Sequence, residues 1–437
     1  MSKVLYLLWW EGSKQVGLIN NVVYRQIEEI SKDPRHEIHL LSAAPFWRGA
    51  LFRWLEGNKL GRKFLGKRIN KWTNTTQLGK RLRNQNITPI FRQTILRPPS
   101  LYLSWFRLLT HPLPHVIYLH LLCKRLKIDI VHCRSYFPAL LTLITRSCFR
   151  SKFVIIFDTR GLLPDEGVST GFFSARSLSY RLWRCVEKKL LCSVDMVVNV
   201  SETFTEHLLE NRVNLPMQTI YAPVDLSAFN TTSISDESAT NKPFYLAYLG
   251  SISDNSWHSP IYLAKAYLSF RKKFGRTGLL LITATEHEML RSILRKEGIQ
   301  DDEIRIVSAN SLPEVSKYLN LAFYGCLPYR KIRDIHDENI AKTMISTKMT
   351  EYLAAGLPIL SNSNIGGASE LIQKYGLGTI IDLEGCEFES DSTKWIDPRN
   401  DTEIKSRCLR IAQEFSLNVI ARKYTDLYET LGRTNSA

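Results

Sequence analysis

Ser346–Gly367 reads STKMTEYLAAGLPILSNSNIGG, a polar cap, a helical run, a glycine, a proline and a short apolar strand in succession. Ser346 or Thr347 suits the N-cap of a helix over KMTEYLAA, Gly356 stands where helices end in left-handed backbone, and Pro358 keeps the helix out of LPILS. A helix that gives way at once to a buried strand is half of a parallel β/α unit. Moving toward the N-terminus, the same alternation recurs through LAFYGCLPY, LPEVSKYLN, EIRIVSA, EMLRSILRKEG, GLLLITA, SPIYLAKAYLSFRKKF and FYLAYLG. Before it, VDLSAFNTTSISDESATNK (224–242) is polar and aperiodic and reads as an interdomain linker or exposed loop.

A second series of the same kind precedes that linker. KVLYLLWW, HEIHLLSA, IDIVHC, KFVIIFD and DMVVNVS read as strands, with helices around INNVVYRQIEEISK, HLLCKRLK, PALLTLITRSC and YRLWRCVEKKLLCSV. The expectation is two doubly wound α/β domains in series. They cover 1–225 and 226–415, and a terminal helix over 416–437 packs back across them. A chain of 437 residues exceeds what one core usually supports, and its 44% hydrophobic content excludes disorder. Ligands in such sheets bind beyond the carboxyl ends of the strands, so chemistry is expected in the loops after Trp10, Cys133, Asp158, Gly250 and Tyr329.

Within the opening stretch Lys348 falls in the first helical turn. A cation there opposes the helix dipole by about 0.3–1 kcal/mol, a placement better explained if an anion binds at that end, where free amides and one ammonium make a phosphate site. Glu351 lies one turn on, where it would accept hydrogen bonds from ribose hydroxyls. The alternative is a surface pair at i, i+3, with a stabilisation of about 0.2–0.5 kcal/mol.

The net charge of +16 is local: residues 46–100 hold 13 Lys and Arg against the single acid Glu56. There Trp47, Phe52, Trp54, Phe64 and Trp72 recur among the cations. That pattern fits an interfacial helix on an anionic membrane. Nucleic acid would also attract the charge, but no nucleic-acid module surrounds it and no nucleic-acid partner is expected. Tryptophans packed on the core beneath a solvated face are the remaining alternative. Eight scattered cysteines without CxxC spacing suggest neither zinc nor redox chemistry and fit a reducing cytosol. The first apolar run lacks a small-residue cleavage site, and Leu108–Cys123, with two prolines and three histidines, is shorter than the roughly 20 residues of a spanning helix. Neither a signal peptide nor a transmembrane segment is expected.

STKMTEYLAAGLPILSNSNIGGASELI resembles the nucleotide-sugar segment of GT-B glycosyltransferases, in particular the large retaining family 4. DIVHCRSYFPALL, FDTRGLLPDEG and AYLGS are similar to a branch of that family found in bacterial surface-polysaccharide clusters, and together the four stretches span about residues 129–382. The resemblance implies a GT-B fold, transfer with retention in a cleft, metal independence and no cofactor, the nucleotide-sugar being a substrate. It implies Glu351 on the ribose, and Ser346, Thr347 and Lys348 with Gly250 and Ser251 on the diphosphate, with Gly12 as a close-approach loop. Thr343 stands where many members carry a first glutamate, which leaves the sugar hydroxyl contact unassigned. FDTRG has no histidine where the family often presents one, so Asp158 or Arg160 takes that place. The usual Arg and Lys pair is missing from LGSISDNSWHS, so Lys348, Arg160 or the loop Tyr329–Arg333 neutralises the leaving phosphate. Asp158, Arg160 and Lys348 are thus the catalytic candidates. Asp158 and Arg160 pairing with each other, or capping the next helix, is the bland alternative.

His132, Arg134, Asp165 and Glu166 are expected on the acceptor side, one of the two acids orienting the acceptor hydroxyl. His132 and Arg134 have an alternative as satisfied polar residues at a strand end. The expected partners are a nucleotide-sugar donor, a lipid-linked or surface glycan acceptor, and an anionic membrane surface. The expected location is the cytoplasm, peripheral on the inner face of the plasma membrane. A nucleotide-sugar epimerase and a non-catalytic homologue share the architecture and stay open as alternatives.

Overall fold

β1 (Ser2–Trp9) is the uniformly apolar run that begins the chain, and Val4, Leu5, Leu7 and Leu8 have no exposed surface. Burial on both faces is the signature of a central parallel strand. In the computed structural model, which describes residues 1–9, 19–45, 78–94, 113–210, 214–229, 243–253, 256–362, 365–383 and 395–434, β1 pairs in parallel with β2 (His36–Pro45) on one side and β4 (Ile130–Arg134) on the other. Gly12 and residues 46–77 and 95–100 of the basic segment lie outside the described residues, as does most of the polar stretch at 230–242.

The sheet continues through β3 (Thr88–Thr94), β5 (Val154–Asp158), β6 (Met196–Asn199) and β7 (Met217–Thr219) in the order β3-β2-β1-β4-β5-β6-β7, all parallel. Its helices include α1 (Arg25–Ile30), entered through a π-helical turn at Ile19–Tyr24, then α2 (Leu113–Leu126), α3 (Tyr136–Phe149), α4 (Leu163–Ser169), α5 (Leu178–Leu190) and α6 (Glu202–Glu210). The basic segment is thus not helical throughout. Its residues Thr88–Thr94 form the edge strand beside β2.

The second sheet has six parallel strands: β8 (Phe244–Leu249), β9 (Thr277–Ile282), β10 (Ile304–Val307), β11 (Ala322–Leu327), β12 (Ile359–Asn362) and β13 (Gly378–Ile381), in the order β10-β9-β8-β11-β12-β13. Its helices are α7 (Pro260–Phe274), α8 (His287–Lys296), α9 (Leu312–Leu319), α10 (Ile335–Thr343), α11 (Thr347–Ala354), α12 (Gly366–Tyr375) and α13 (Ile404–Glu414). α14 (Leu417–Thr434) closes the described chain. Apolar residues fill both faces of this sheet. Ala247, Leu280, Met349 and Leu353 lie in one layer, and Leu246, Leu279, Leu281 and Tyr267 in the other.

Two compact units result. One is Met1–Val200, Thr205–Ile220 and Ile420–Ala437, and the other is Ser201–Phe204 and Tyr221–Val419. Each reverses its strand order once, between β1 and β4 in the first and between β8 and β11 in the second, and such reversals open a crevice at the strand ends. Among the described residues no helix is long and apolar enough to cross a membrane.

Candidate functional site

In the C-terminal unit, α11 is anchored across the strand reversal by Tyr352. Its hydroxyl accepts from the Leu249 amide at the end of β8 (2.9 Å) and donates to the Cys326 carbonyl of β11 (3.1 Å). The ring occupies the space beside Gly325, where a β-carbon would stand 2.3 Å from it. These contacts fix the first turn of α11 at the ends of the two central strands. Ser346 is the N-cap, accepting from the Lys348 amide (3.3 Å), and Gly356 leaves the helix at φ +74°.

Lys348 is thereby laid over Gly250. A β-carbon on Gly250 would stand 2.8 Å from Lys348 Cε and 3.4 Å from Nζ, and Gly250 has φ +101°. The ammonium lies 5.9 Å from the Tyr248 ring centroid and makes no ion pair with a described residue; burial lowers its pKa, against the influence of Glu351. Glu351 shares this face without bonding Lys348, and burial raises its carboxyl to about 7 although Lys348 pulls it down. The surface-pair alternative does not form.

Below the cation, buried His258 approaches the Tyr248 hydroxyl through Nδ1 (3.2 Å). That hydroxyl donates to the Ser251 carbonyl (2.7 Å), so the His258 nitrogen is the donor. Burial, with Lys348 adding to it, keeps His258 neutral. The loop at Gly250 and Ser251 is therefore pinned from beneath.

Other parts of the segment have packing duties. β-Carbons on Gly366 and Gly367 would stand 2.6 Å from the Lys342 carbonyl and 2.9 Å from the Met344 carbonyl. The paired glycines admit a neighbouring backbone. Thr343 is buried and bonds the Asn339 (3.2 Å) and Ile340 (3.1 Å) carbonyls of its own helix. The expectation for the loop Tyr329–Arg333 needs correction. Arg330 forks onto Asp337 (2.6 and 2.8 Å) and stacks on Trp257, while Arg333 bonds the same carboxylate (2.8 Å). Both guanidiniums are engaged in fixing α10.

In the N-terminal unit, β4 and β5 end side by side, with Arg134 paired in register with Asp158. Asp158 and His132 have no exposed surface. Asp158 faces His132 Nε2 (3.5 Å), the Tyr424 hydroxyl (3.5 Å), Arg160 Nη1 (3.4 Å) and Arg134 Nη1 (4.0 Å). Burial would raise its carboxyl, but Arg160, the His132 bond and Arg134 hold it down at about 2. Burial outweighs Asp158 at His132 and keeps the imidazole neutral. Arg160 has φ +61°, a conformation that costs a side-chain-bearing residue about 1–2 kcal/mol. Ser135, at the end of β4, has φ +74° as well. Strained backbone beside strand ends marks functional loops.

The next turn carries the two acids. Asp165 is buried against Arg184 (3.6 Å). Glu166 is half-buried, and its carboxylate lies where a β-carbon on Gly161 would stand, 2.1 Å from Oε1. Burial, with Asp165 adding to it, raises Glu166 to about 7.

Residues 19–228 match the model of the Glycosyltransferase Family 4 domain. The chain has the GT-B fold, two units each built on a parallel sheet. Solved structures share its fold over nearly their whole length: a glycosyltransferase from Rickettsia africae (17% identity, 98% of each chain, TM-score 0.61); a lipopolysaccharide outer core galactosyltransferase, WaaB, in its apo form (13% identity, 98% of this chain and 99% of that one, TM-score 0.60); and Anabaena HepE in complex with UDP and glucose (11% identity, 98% and 100%, TM-score 0.55). No curated protein matches the chain at the level of sequence.

Within this fold the structure brings Ser346, Thr347, Lys348, Glu351, Gly250 and Ser251 to one strand reversal. It also brings His132, Arg134, Asp158 and Arg160 to one strand edge, where it corrects their parts. His132 and Asp158, expected on the acceptor side and at the reacting centre, are sealed inside, out of direct reach of a substrate. Arg134 and Asp165 are buried too, which leaves Glu166 as the partly exposed member of the expected acceptor-side residues and Arg160 as the partly exposed one of the pair with Asp158. The pairing of Asp158 with Arg160 is present. Sequence reasoning overlooked Tyr352, Tyr248, His258, Tyr424 and Tyr428, whose hydroxyls and rings hold these groups in place. Only the four-residue spacing of Tyr424 and Tyr428 signalled a shared helix face.

Proposed function

We propose that the enzyme transfers a sugar, with retention, from a nucleoside-diphosphate sugar to a hydroxyl of a lipid-linked glycan in the making of a bacterial surface polysaccharide. The observation that carries this reading is Lys348: a half-buried ammonium at a helix N-terminus, without an anionic partner among the described residues, above a glycine that leaves it room. Such a cation with free amides is complementary to a diphosphate leaving group, whose negative charge grows as the anomeric bond breaks.

In this reading Ser346, Thr347, Lys348, Gly250 and Ser251 receive the diphosphate, and Glu351 in its ionised form accepts the ribose hydroxyls. Charge on the departing phosphate is met by Lys348 and amides, without a metal or cofactor. Arg160 faces the transferred sugar and Glu166 accepts from the acceptor hydroxyl. Asp158 and His132 hold Arg160. UDP is the first base to try, because HepE was captured with UDP and glucose. The WaaB likeness makes a cell-surface glycan acceptor the natural class. Trp47, Phe52, Trp54, Phe64 and Trp72, set among the cations of 46–100, would dock the enzyme on the anionic inner face of the plasma membrane.

A thermal-shift screen against UDP, GDP, ADP and CMP sugars tests the reading. One nucleotide at about 100 times its dissociation constant stabilises by about 2.7 kcal/mol, several degrees in Tm, and Glu351→Ala should remove the shift. No shift with any of the four would sink the proposal. The buried, satisfied Thr343 favours a second reading, a nucleotide-binding homologue without turnover. Saturable nucleotide binding with neither hydrolysis nor transfer would support it. Conversion of the donor alone into its epimer would point to an epimerase.

A further inference from the structure

Tyr424, Tyr428 and Gly432 share one face of α14 at four-residue spacing, and each meets the N-terminal sheet at a different level. Tyr424 reaches Asp158 at the end of β5, Tyr428 reaches His132 inside β4, and a β-carbon on Gly432 would stand 2.5 Å from the Ser2 hydroxyl at the start of β1. The helix therefore descends against the strand direction. Its flank is clamped separately: Arg35 bonds Asp426 (3.0 Å), Thr425 (3.2 Å) and Glu429, and His36 Nε2 meets the Thr425 carbonyl (2.9 Å).

The hydrogen-bond pattern fixes where the protons lie. Ionised Asp158 only accepts, so the His132 nitrogen facing it, Nε2, carries the imidazole proton. Nδ1 of the neutral ring then accepts, and the Tyr428 hydroxyl donates to it (2.6 Å). Tyr424 donates to the carboxylate oxygen that His132 also faces, Oδ2, which leaves Oδ1 toward Arg160. Tyr6 packs against the His132 ring with centroids 4.2 Å apart and planes tilted by 40°.

We propose that Tyr428 and Tyr424 are positioning residues for Arg160: Tyr428 holds the His132 ring in place, His132 and Tyr424 orient Asp158, and Asp158 holds the Arg160 guanidinium on the substrate side. The inference rests on the reading of Arg160 as the cation that faces the transferred sugar. Without the Tyr428 hydroxyl, Nδ1 loses its donor and the ring loses the bond that holds it against Asp158, while the ionised carboxylate still keeps the proton on Nε2. The terminal helix thereby reaches the reacting centre through three buried groups.

The test labels histidine and arginine of the full-length protein with heavy nitrogen for NMR. Wild type should show neutral His132 with its proton on Nε2 at neutral pH. Tyr428→Phe should leave the proton on Nε2, shift the Nδ1 resonance as it loses its hydrogen bond, and broaden the Arg160 Nε–H resonance. Tyr424→Phe should broaden Arg160 and leave the His132 Nδ1 resonance alone. Donor turnover in both variants should fall about tenfold to a hundredfold in kcat, with donor KM within about twofold and Tm within a few degrees. An unaltered Arg160 resonance in both variants overturns the relay. If the wild type turns over no donor while the Nδ1 and Arg160 changes appear, the relay stands and the reading of Arg160 falls.

Discussion

Lys348 and Gly250 occupy one another's space: the lysine Cε lies 2.8 Å from the point a β-carbon on Gly250 would take, and Gly250 holds φ +101°. Glycine is required there for two reasons, backbone and room. Gly250→Ala should displace the ammonium and weaken nucleotide binding about as much as Lys348→Ala does. Loss of a charge-assisted contact of about 1.5–3 kcal/mol corresponds to about a tenfold to a hundredfold rise in Kd. Titration calorimetry with UDP or UDP-glucose reads it, and wild-type affinity in Lys348→Ala would refute the assignment.

Glu351 gives the protein a pH dependence of known sign. Its folded-state pKa of about 7 exceeds the ordinary 4.5, with burial as the cause. The folded protein thus binds the proton more tightly than the unfolded chain, and the stability linked to Glu351 is complete below about 4.5 and lost as pH rises through about 7. Glu351→Gln should flatten this part of the Tm profile by a few degrees, since about 1.4 kcal/mol accompanies each pKa unit. Nucleotide-sugar affinity should move the opposite way and rise over the same window, because only the carboxylate accepts from ribose. A Tm profile in Glu351→Gln identical to wild type would contradict this account.

Legibility in the sequence followed burial. Central strands such as β1 and β8 are continuous apolar runs and were readable from their residues alone. The strands that escaped, Thr88–Thr94, Met217–Thr219 and Gly378–Ile381, all lie at sheet edges. TPIFRQT tolerates Pro89 because an edge strand has one row of unpaired groups, and that proline hid the strand inside a basic segment. In the candidate site, the positions of Lys348 and Glu351 on one helix were legible because a cap, a helix turn and a glycine occur at fixed spacing, and Gly250 was singled out through the resemblance of AYLGS. Tyr424 and Tyr428 were not, since tyrosines on an apolar helical stripe read as core. Only the tertiary fold sets their hydroxyls on His132 and Asp158.

Asp337 ties the loop Tyr329–Arg333 to α10. It is fully buried and receives both Arg330 and Arg333. Removing one member of a buried charge cluster strands the others, at a cost of about 3–5 kcal/mol. Asp337→Ala should lower the denaturation midpoint accordingly. Arg333→Ala, whose side chain is half-exposed, should change UDP affinity less than about twofold, well under the Lys348→Ala effect. A loss in Arg333→Ala equal to that of Lys348→Ala would return the loop Tyr329–Arg333 to the phosphate.

Glu166 and Gly161 make the corresponding test on the acceptor side. Any side chain at position 161 meets Glu166 Oε1 at 2.1 Å, so Gly161→Ala must push the carboxylate out of its place. With burial raising Glu166 to about 7, the group changes charge near neutrality. If it accepts from the acceptor hydroxyl, transfer should rise with pH through that range. Glu166→Gln should abolish the dependence and raise acceptor KM about tenfold, the difference between a charged and a neutral acceptor being about 1 kcal/mol or more. Gly161→Ala should reproduce the KM change without removing the ionisable group, and UDP affinity should stay within about twofold in both. Steady-state transfer to a glycan acceptor at several pH values separates the cases: a KM effect confined to Gly161→Ala would make Glu166 a packing residue, and an equal effect in both variants would make it the acceptor's partner.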